Sequence, residues 1–156
     1  DAALRDRLAF DEAGLLAVLD EVTAVLGGAP RACMTGFSGG GLLTYRMVLR
    51  QPGRLAAAAP ACANFSPSVA GDLSADPPRE VERLPVHILT GADDPHRTHT
   101  FGDPNQPGIE PQTDAAVALL ERRGYRAVQR TLVPGLKHDP ATRLVLDALR
   151  PWLEKR

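Results

Sequence analysis

The stretch ACMTGFSGG, residues 32–40, decides the fold. Ala32, Cys33, Met34 and Thr35 read as a hydrophobic strand, Ser38 stands at a sharp turn, and a helix begins directly after it, the arrangement of a nucleophile elbow. The Ser38 hydroxyl has to stand clear of the backbone. Gly36 and Gly40, two positions either side, are therefore expected to lack side chains so that strand and helix can pass close together. Gly39 serves another purpose. Its N–H falls at the helix start, where donors are free and the dipole favours negative charge, so it is the expected oxyanion donor. With four serines and 14 glycines in the chain, chance would flank a serine with both glycines roughly 0.03 times. Phosphate binding fits worse, because the dinucleotide fingerprint needs glycine where Ser38 sits and the P-loop needs a Gly-Lys-Ser/Thr that is absent. A plain glycine-rich turn in a βαβ unit is the structural alternative.

Upstream, residues 11–26 carry Leu15, Val18, Leu19, Val22, Val25 and Leu26 at helical spacing, with Asp11 and Glu12 in the first turn and Gly27-Gly28 as the stop. Downstream, the helix after Ser38 runs through Leu42, Leu43, Met47 and Val48 to Gln51, where Pro52-Gly53 ends it. Leu55 to Ala61 suits a buried strand of small residues. Residues 63–84 are proline-broken and read as a long loop with one helical turn around Arg79 to Arg83. Val86 to Thr90 is the clearest strand, and the polar segment after it, up to Gly108, is too rich in Pro, Gly and Asp to be regular. Thr113 to Arg123 is the next helix, closed by Gly124, and Ala127 to Val133 the last strand, its Gln129 and Arg130 suggesting an edge. Asp139 as N-cap and Pro140 at the first helical position open a final helix striped by Leu144, Val145, Ala148, Leu149 and Trp152. Alternating strands and helices imply an α/β fold with a parallel sheet, in which function collects at the C-terminal ends of the strands.

A serine hydroxyl is a poor nucleophile near neutral pH and needs a base, oriented in turn by a carboxylate. Asp94 falls just past the Val86 to Thr90 strand and His138 just past the last strand, so both are expected at the edge where Ser38 emerges. Taken singly, the lesser alternatives are that Asp94 is a turn former before Pro95 and His138 a loop histidine. Three matches in order, each at a strand end, weigh against coincidence. Asp93 is the fallback acid. His96 and His99, close to Asp94, are candidate substrate-binding residues together with Phe37, and Phe65 is a further candidate apolar wall, ordinary core packing being the alternative for both aromatics. Asp93, Asp94, His96 and His99 also form a candidate metal cluster, which their irregular loop spacing disfavours. His87, inside a strand, reads as a packed or hydrogen-bonded core residue.

The elbow GFSGGG, GADDP after a strand and GLKHD before the last helix resemble the α/β-hydrolases, esterase branch, and are most similar to polyhydroxybutyrate-depolymerase-like and feruloyl-esterase-like proteins. The HGxxDP pattern of that family matches Gly91 to Pro95, with Thr90 in place of the usual His, and a Gly-x-x-His pattern matches Gly135 to His138. The resemblance implies a serine hydrolase that cleaves carboxylic esters of a small-molecule or polymeric substrate. Ser38 would be the nucleophile, His138 the base and Asp94 its orienting acid, with no cofactor or metal. Peptidase or acyltransferase activity on the same fold, or a noncatalytic binding fragment, are the alternatives. It also implies that these are the fifth to eighth strands of a sheet of about eight. Residues 1–156 are then a single partial domain, its C-terminal half. A missing N-terminal segment or a second chain would complete it and bring the second oxyanion donor.

Composition is compatible with this. At 156 residues and 44% apolar content the chain can bury a core, and a net charge of −1 gives no reason to expect nucleic acid or an anionic membrane as partner. No apolar run is long enough to span a bilayer. The first residue is Asp1 rather than Met, so the sequence reads as processed or cut from something longer, and it does not fix a compartment. Cys33 and Cys62 lack metal spacing and read as buried small apolar residues, a disulfide being the alternative. Asn64-Phe65-Ser66, followed by Pro67, matches a glycosylation sequon and reads as a chance match.

Overall fold

The computed structural model of the protein describes residues 2–71, 73, 77–100 and 103–154. Four strands, β1 (Ala32–Phe37), β2 (Leu55–Ala61), β3 (Val86–Gly91) and β6 (Val128–Val133), form one sheet in that order, every neighbouring pair parallel. Helices α1 (Ala2–Leu26), α2 (Gly40–Arg50), α3 (Ile109–Arg122) and α4 (Thr142–Leu153) flank it. The α/β class and the parallel sheet expected from the alternating pattern are what the chain adopts.

The alanine run of β2 explains how both faces of the sheet are covered. Side chains alternate along a strand, so Ala57, Ala59 and Ala61 meet Val145 and Leu149 of α4 on one face. Ala58 joins Tyr45, Met47, Val48, Ile88 and Leu120 in the larger core on the other, and Leu55 joins it too, because the register shift opposite Ala32 and Cys33 interrupts the alternation there. Small residues on the central strand let helices approach closely from both sides, which offsets their weak strand preference.

Several boundaries differ from expectation. Helix α1 starts at Ala2 instead of residue 11, because residues 2–10 contain neither Gly nor Pro and Leu4 and Leu8 continue its stripe. Glu12 is consequently in mid-helix and not in a first turn, and it is buried against α2. Its carboxylate accepts hydrogen bonds from Arg46 Nε at 2.6 Å, Arg50 Nε at 3.1 Å and Gln51 Nε2 at 2.7 Å. Burial alone would raise the Glu12 pKa; the hydrogen bonds from Gln51 and Arg46 and the charges of Arg46 and Arg50 outweigh it and hold the carboxyl below the ordinary glutamate value. The stripe expected to face the core is only partly covered: Leu15 and Leu16 pack inward, whereas Val18, Val25 and Leu26 are 59%, 70% and 76% exposed.

The segment after β3, expected to be irregular, contains a short antiparallel hairpin of β4 (His99–Thr100) and β5 (Asp103–Pro107). The His99 side chain lies outside the described residues. The loop before β3 carries two 3₁₀ turns, Pro67–Ala70 as well as the expected Arg79–Arg83. Helix α3 begins at Ile109, ahead of the expected Thr113. Asp139 is not the N-cap of α4. It accepts the Ala141 N–H at 2.8 Å in a local turn, and Ala141, with φ of 48°, is the cap residue.

Candidate active site

Ser38 follows the last residue of β1 with φ of 52°, a left-handed conformation that a residue with a side chain adopts only under constraint. The constraint is visible around it. The Ser38 carbonyl accepts the Gly41 N–H at 3.0 Å and the Asn64 N–H at 2.9 Å, while its own N–H donates to the Ala61 carbonyl at 3.4 Å. A side chain at Gly36 would lie 2.3 Å from the Gly40 carbonyl oxygen and 2.4 Å from Thr44 Oγ1, so that glycine is a steric necessity. The second one is not Gly40, where a Cβ would meet open space; it is Gly41, where a Cβ would lie 2.3 Å from that of Ala63. It is the Gly40 backbone that approaches β1, and the first turn of α2 then brings Gly41 against the chain leaving β2. Gly39 is exposed just before α2, and its N–H has no hydrogen-bond acceptor among the described residues.

Asp94 lies in the turn that leaves β3. Its side chain is wholly buried, with Oδ1 accepting the His96 N–H at 2.7 Å and Oδ2 facing His138 Nδ1 at 2.8 Å. The other ring nitrogen of His138, Nε2, lies 3.1 Å from Ser38 Oγ. Three side chains from three strand ends are therefore joined in one hydrogen-bonded line. His138 reaches its place because the loop after β6 folds back over β3. Gly91 makes room for it, since a Cβ there would lie 2.4 Å from the Leu136 carbonyl oxygen and 2.6 Å from that of Lys137. The loop is pinned by the Asp93 N–H on the Leu136 carbonyl at 3.0 Å.

The other sequence candidates separate. The Phe37 ring packs on the His138 ring with centroids 4.7 Å apart, and the His96 ring meets it edge to face at 5.0 Å. Asp93 is exposed and is not part of the line. Phe65 is buried against Tyr45 in the core. His87 Nε2 is 2.9 Å from Thr131 Oγ1, and burial pushes its pKa down. Both cysteines are free.

Cys62 was not legible as a site residue. It follows the last residue of β2, is fully buried with φ of 41°, and lies 3.6 Å from the Lys137 carbonyl, to which its thiol is placed to donate. Burial pushes this thiol up; backbone hydrogen bonds with Asp139 and Gly91 oppose that, and the Asp94 charge adds to it. Its Sγ, a carboxylate oxygen of Asp94 and a ring nitrogen of His138 lie within 4.8 Å of one another. The signal was positional: Ser38, Cys62, Asp94 and His138 each come just past the end of a strand of one parallel sheet.

No family model and no curated protein matches the sequence. Solved structures do. The chain is similar to SOBER1 of Arabidopsis thaliana, with a TM-score of 0.68 and 22% identity over 94% of this chain and 65% of that one. It is also similar to a carboxylesterase of Mesorhizobium loti, with a TM-score of 0.62 and 23% identity over 97% of this chain and 63% of that one. The S-formylglutathione hydrolase FrmB of Staphylococcus aureus matches with a TM-score of 0.55 and 17% identity, over 89% of this chain and 57% of that one. The chain thus has the α/β-hydrolase fold, and it spans 57–65% of the length of these three structures.

Proposed function

We propose that this chain, as part of an α/β-hydrolase fold, carries the nucleophile, base and acid of a serine esterase. The observation that supports this most is the continuous line Asp94 Oδ2, His138 Nδ1, His138 Nε2, Ser38 Oγ, at 2.8 Å and 3.1 Å. Asp94 fixes the tautomer with hydrogen on Nδ1, leaving the Nε2 lone pair to accept the Ser38 proton. Ser38 Oγ then attacks the acyl carbon, and the resulting oxyanion lies toward the exposed Gly39 N–H. His138 returns its proton to the leaving alcohol, and water, activated by the same nitrogen, hydrolyses the acyl-enzyme. The burial of Asp94 keeps water from competing for the carboxylate. Phe37 and His96 would line the acyl side of the cleft.

The carboxylesterase and S-formylglutathione hydrolase named above support a small ester or thioester substrate. The extent of the match supports reading these 156 residues as the C-terminal part of a larger domain. So does the edge of β1, unpaired among the described residues, beside a groove of ≈ 620 Å³ lined by Leu19, Val22, Cys33 and Trp152. The absent part, or a second chain, would pair with β1 and bring the second oxyanion donor; one such donor is worth roughly 10²–10³ in kcat.

Rapid mixing with a chromogenic ester tests the reading. An acyl-enzyme mechanism gives a burst of released alcohol stoichiometric with the protein, and the acyl group is recovered on Ser38. Turnover without a burst, with the acyl group found elsewhere or nowhere under acid quench, would refute it. Anilides and added acyl acceptors, run in parallel, separate an esterase from a peptidase or a transferase.

A further inference from the structure

We propose that Cys62, Asp94 and His138 form a latent site for a thiophilic divalent cation such as zinc, and that its occupation switches the hydrolase off. The inference rests on the reading of His138 as the base that serves Ser38.

The three donors are a thiol, a carboxylate and an imidazole, the set that suits zinc. Their ligand atoms already lie within 4.8 Å of one another. Tetrahedral zinc holds its ligands at about 2.0–2.3 Å and hence roughly 3.5 Å from one another, so Asp94 Oδ2 and His138 Nδ1, 2.8 Å apart, would part slightly to admit the ion between them. Cys62 and His138 sit on neighbouring turns tied by the contact from Sγ to the Lys137 carbonyl, which keeps the thiol beside the other two donors. Charge also balances. A thiolate and a carboxylate together neutralise a dication, so the filled site carries no net charge into a region where the Cys62 and Asp94 side chains have no access to water. Magnesium and calcium, which want six or more oxygens, find too few here. The half-open side is His138, whose side chain is 17% exposed, and a water completing the coordination would stand there.

Inhibition follows from the tautomer. The ring nitrogen facing Asp94 is Nδ1, so that is the atom an ion bridging to the carboxylate takes. On binding, the thiol proton leaves to solvent and the Nδ1 hydrogen is replaced by the metal, its proton reappearing on Nε2. The imidazole stays neutral, but Nε2 is now a donor and has no lone pair with which to accept the proton of Ser38. The base is disabled while the ion is held, and recovers when a chelator removes it.

The test uses metal alone. Cobalt(II) titrated into the protein is expected to give one bound ion per chain with a thiolate-to-cobalt charge-transfer band, displaced by zinc. In Cys62→Ala the band disappears and affinity falls by more than the roughly 10–100-fold that loss of an outer partner costs. Zinc should slow reaction of Ser38 with a fluorophosphonate in the parent protein, with EDTA reversing it, and should not do so in Cys62→Ala. A cobalt complex without the thiolate band, or equal zinc sensitivity in the two proteins, would overturn the proposal. If Cys62→Ala does not fold, the band in the parent protein decides alone. If Ser38 reacts in neither protein, the esterase reading fails, and the cobalt spectrum still judges the metal site.

Discussion

Two regions of this molecule are built to different degrees of completion. At the C-terminal rim of the sheet every polar atom of the Ser38, His138 and Asp94 line has a partner, and three close backbone approaches, at Gly36, Gly41 and Gly91, hold the line in place. Along β1 the opposite holds. The strand is half-buried, with Thr35 exposed, in contrast to β2 and β3, and the outward face of α1 leaves Val18, Val25 and Leu26 in solvent. The far edge shows that this is not simply how the sheet treats its borders. There β6 presents Gln129 and Arg130, and Arg130 is ion-paired to Glu110 and Asp114 of α3, a charged border that resists pairing. One border is finished as a border; the other has the composition of an interior strand. The proposed reading, a hydrolase half that holds the proton relay and awaits its oxyanion wall, would account for both.

The contrast breaks most sharply at the finished rim. Ser38→Ala and His138→Ala are each expected to lower kcat for an ester by about a million-fold. Asp94→Asn should lower it by about 10⁴-fold, since it preserves shape but favours the wrong tautomer. Steady-state rates of purified, folded variants check both, and a loss under tenfold for any of the three would mean that the line of hydrogen bonds does no chemistry.

Glu12 links the two regions, because α1 buries only Leu8 and Glu12 fully. Glu12→Gln is expected to cost about 3–5 kcal/mol at neutral pH, leaving Arg46 buried without its counter-charge. The pH dependence has a definite sign. The folded-state pKa of Glu12 is lowered, so its contribution is complete above the ordinary value of 4.5 and is lost as pH falls through the depressed value. Urea midpoints measured from neutral to acid pH should therefore converge for the parent protein and the variant.

Other substitutions have smaller effects. Gly41→Ala should destabilise by about 1–3 kcal/mol through overpacking on Ala63, whereas Gly40→Ala, pointing into open space, should change stability by less than about 0.5 kcal/mol. Smallest is Val25→Lys combined with Leu26→Lys, expected within about 0.5 kcal/mol in this chain and accompanied by reduced self-association on sedimentation. A large loss of stability there would mean that the α1 face is already covered.

What could be read from the sequence follows physical lines. The strands of the sheet were legible because apolar runs are punctuated by Gly and Pro, and the order Ser38, Asp94, His138 was legible because each comes just past a strand. Glycine identity within GGG was not, since three equal residues give no register, and only the packing against Ala63 singles out Gly41. The hairpin of β4 and β5 was hidden by its proline and aspartate content, which argues against strands in general. Periodicity located α1 but not its cover: an apolar stripe looks the same whether or not its partner lies in the chain. Cys62 was opaque for a similar reason, because a buried thiol after an alanine-rich strand reads as packing until Asp94 and His138 are brought beside it.

Whether Ser38 is a nucleophile activated by His138 is decided by fluorophosphonate labelling followed by peptide mass spectrometry. One adduct per chain is expected, located on Ser38, absent in Ser38→Ala and nearly absent in His138→Ala. A folded protein that takes no adduct, or takes it on a residue other than Ser38, would be incompatible with that role.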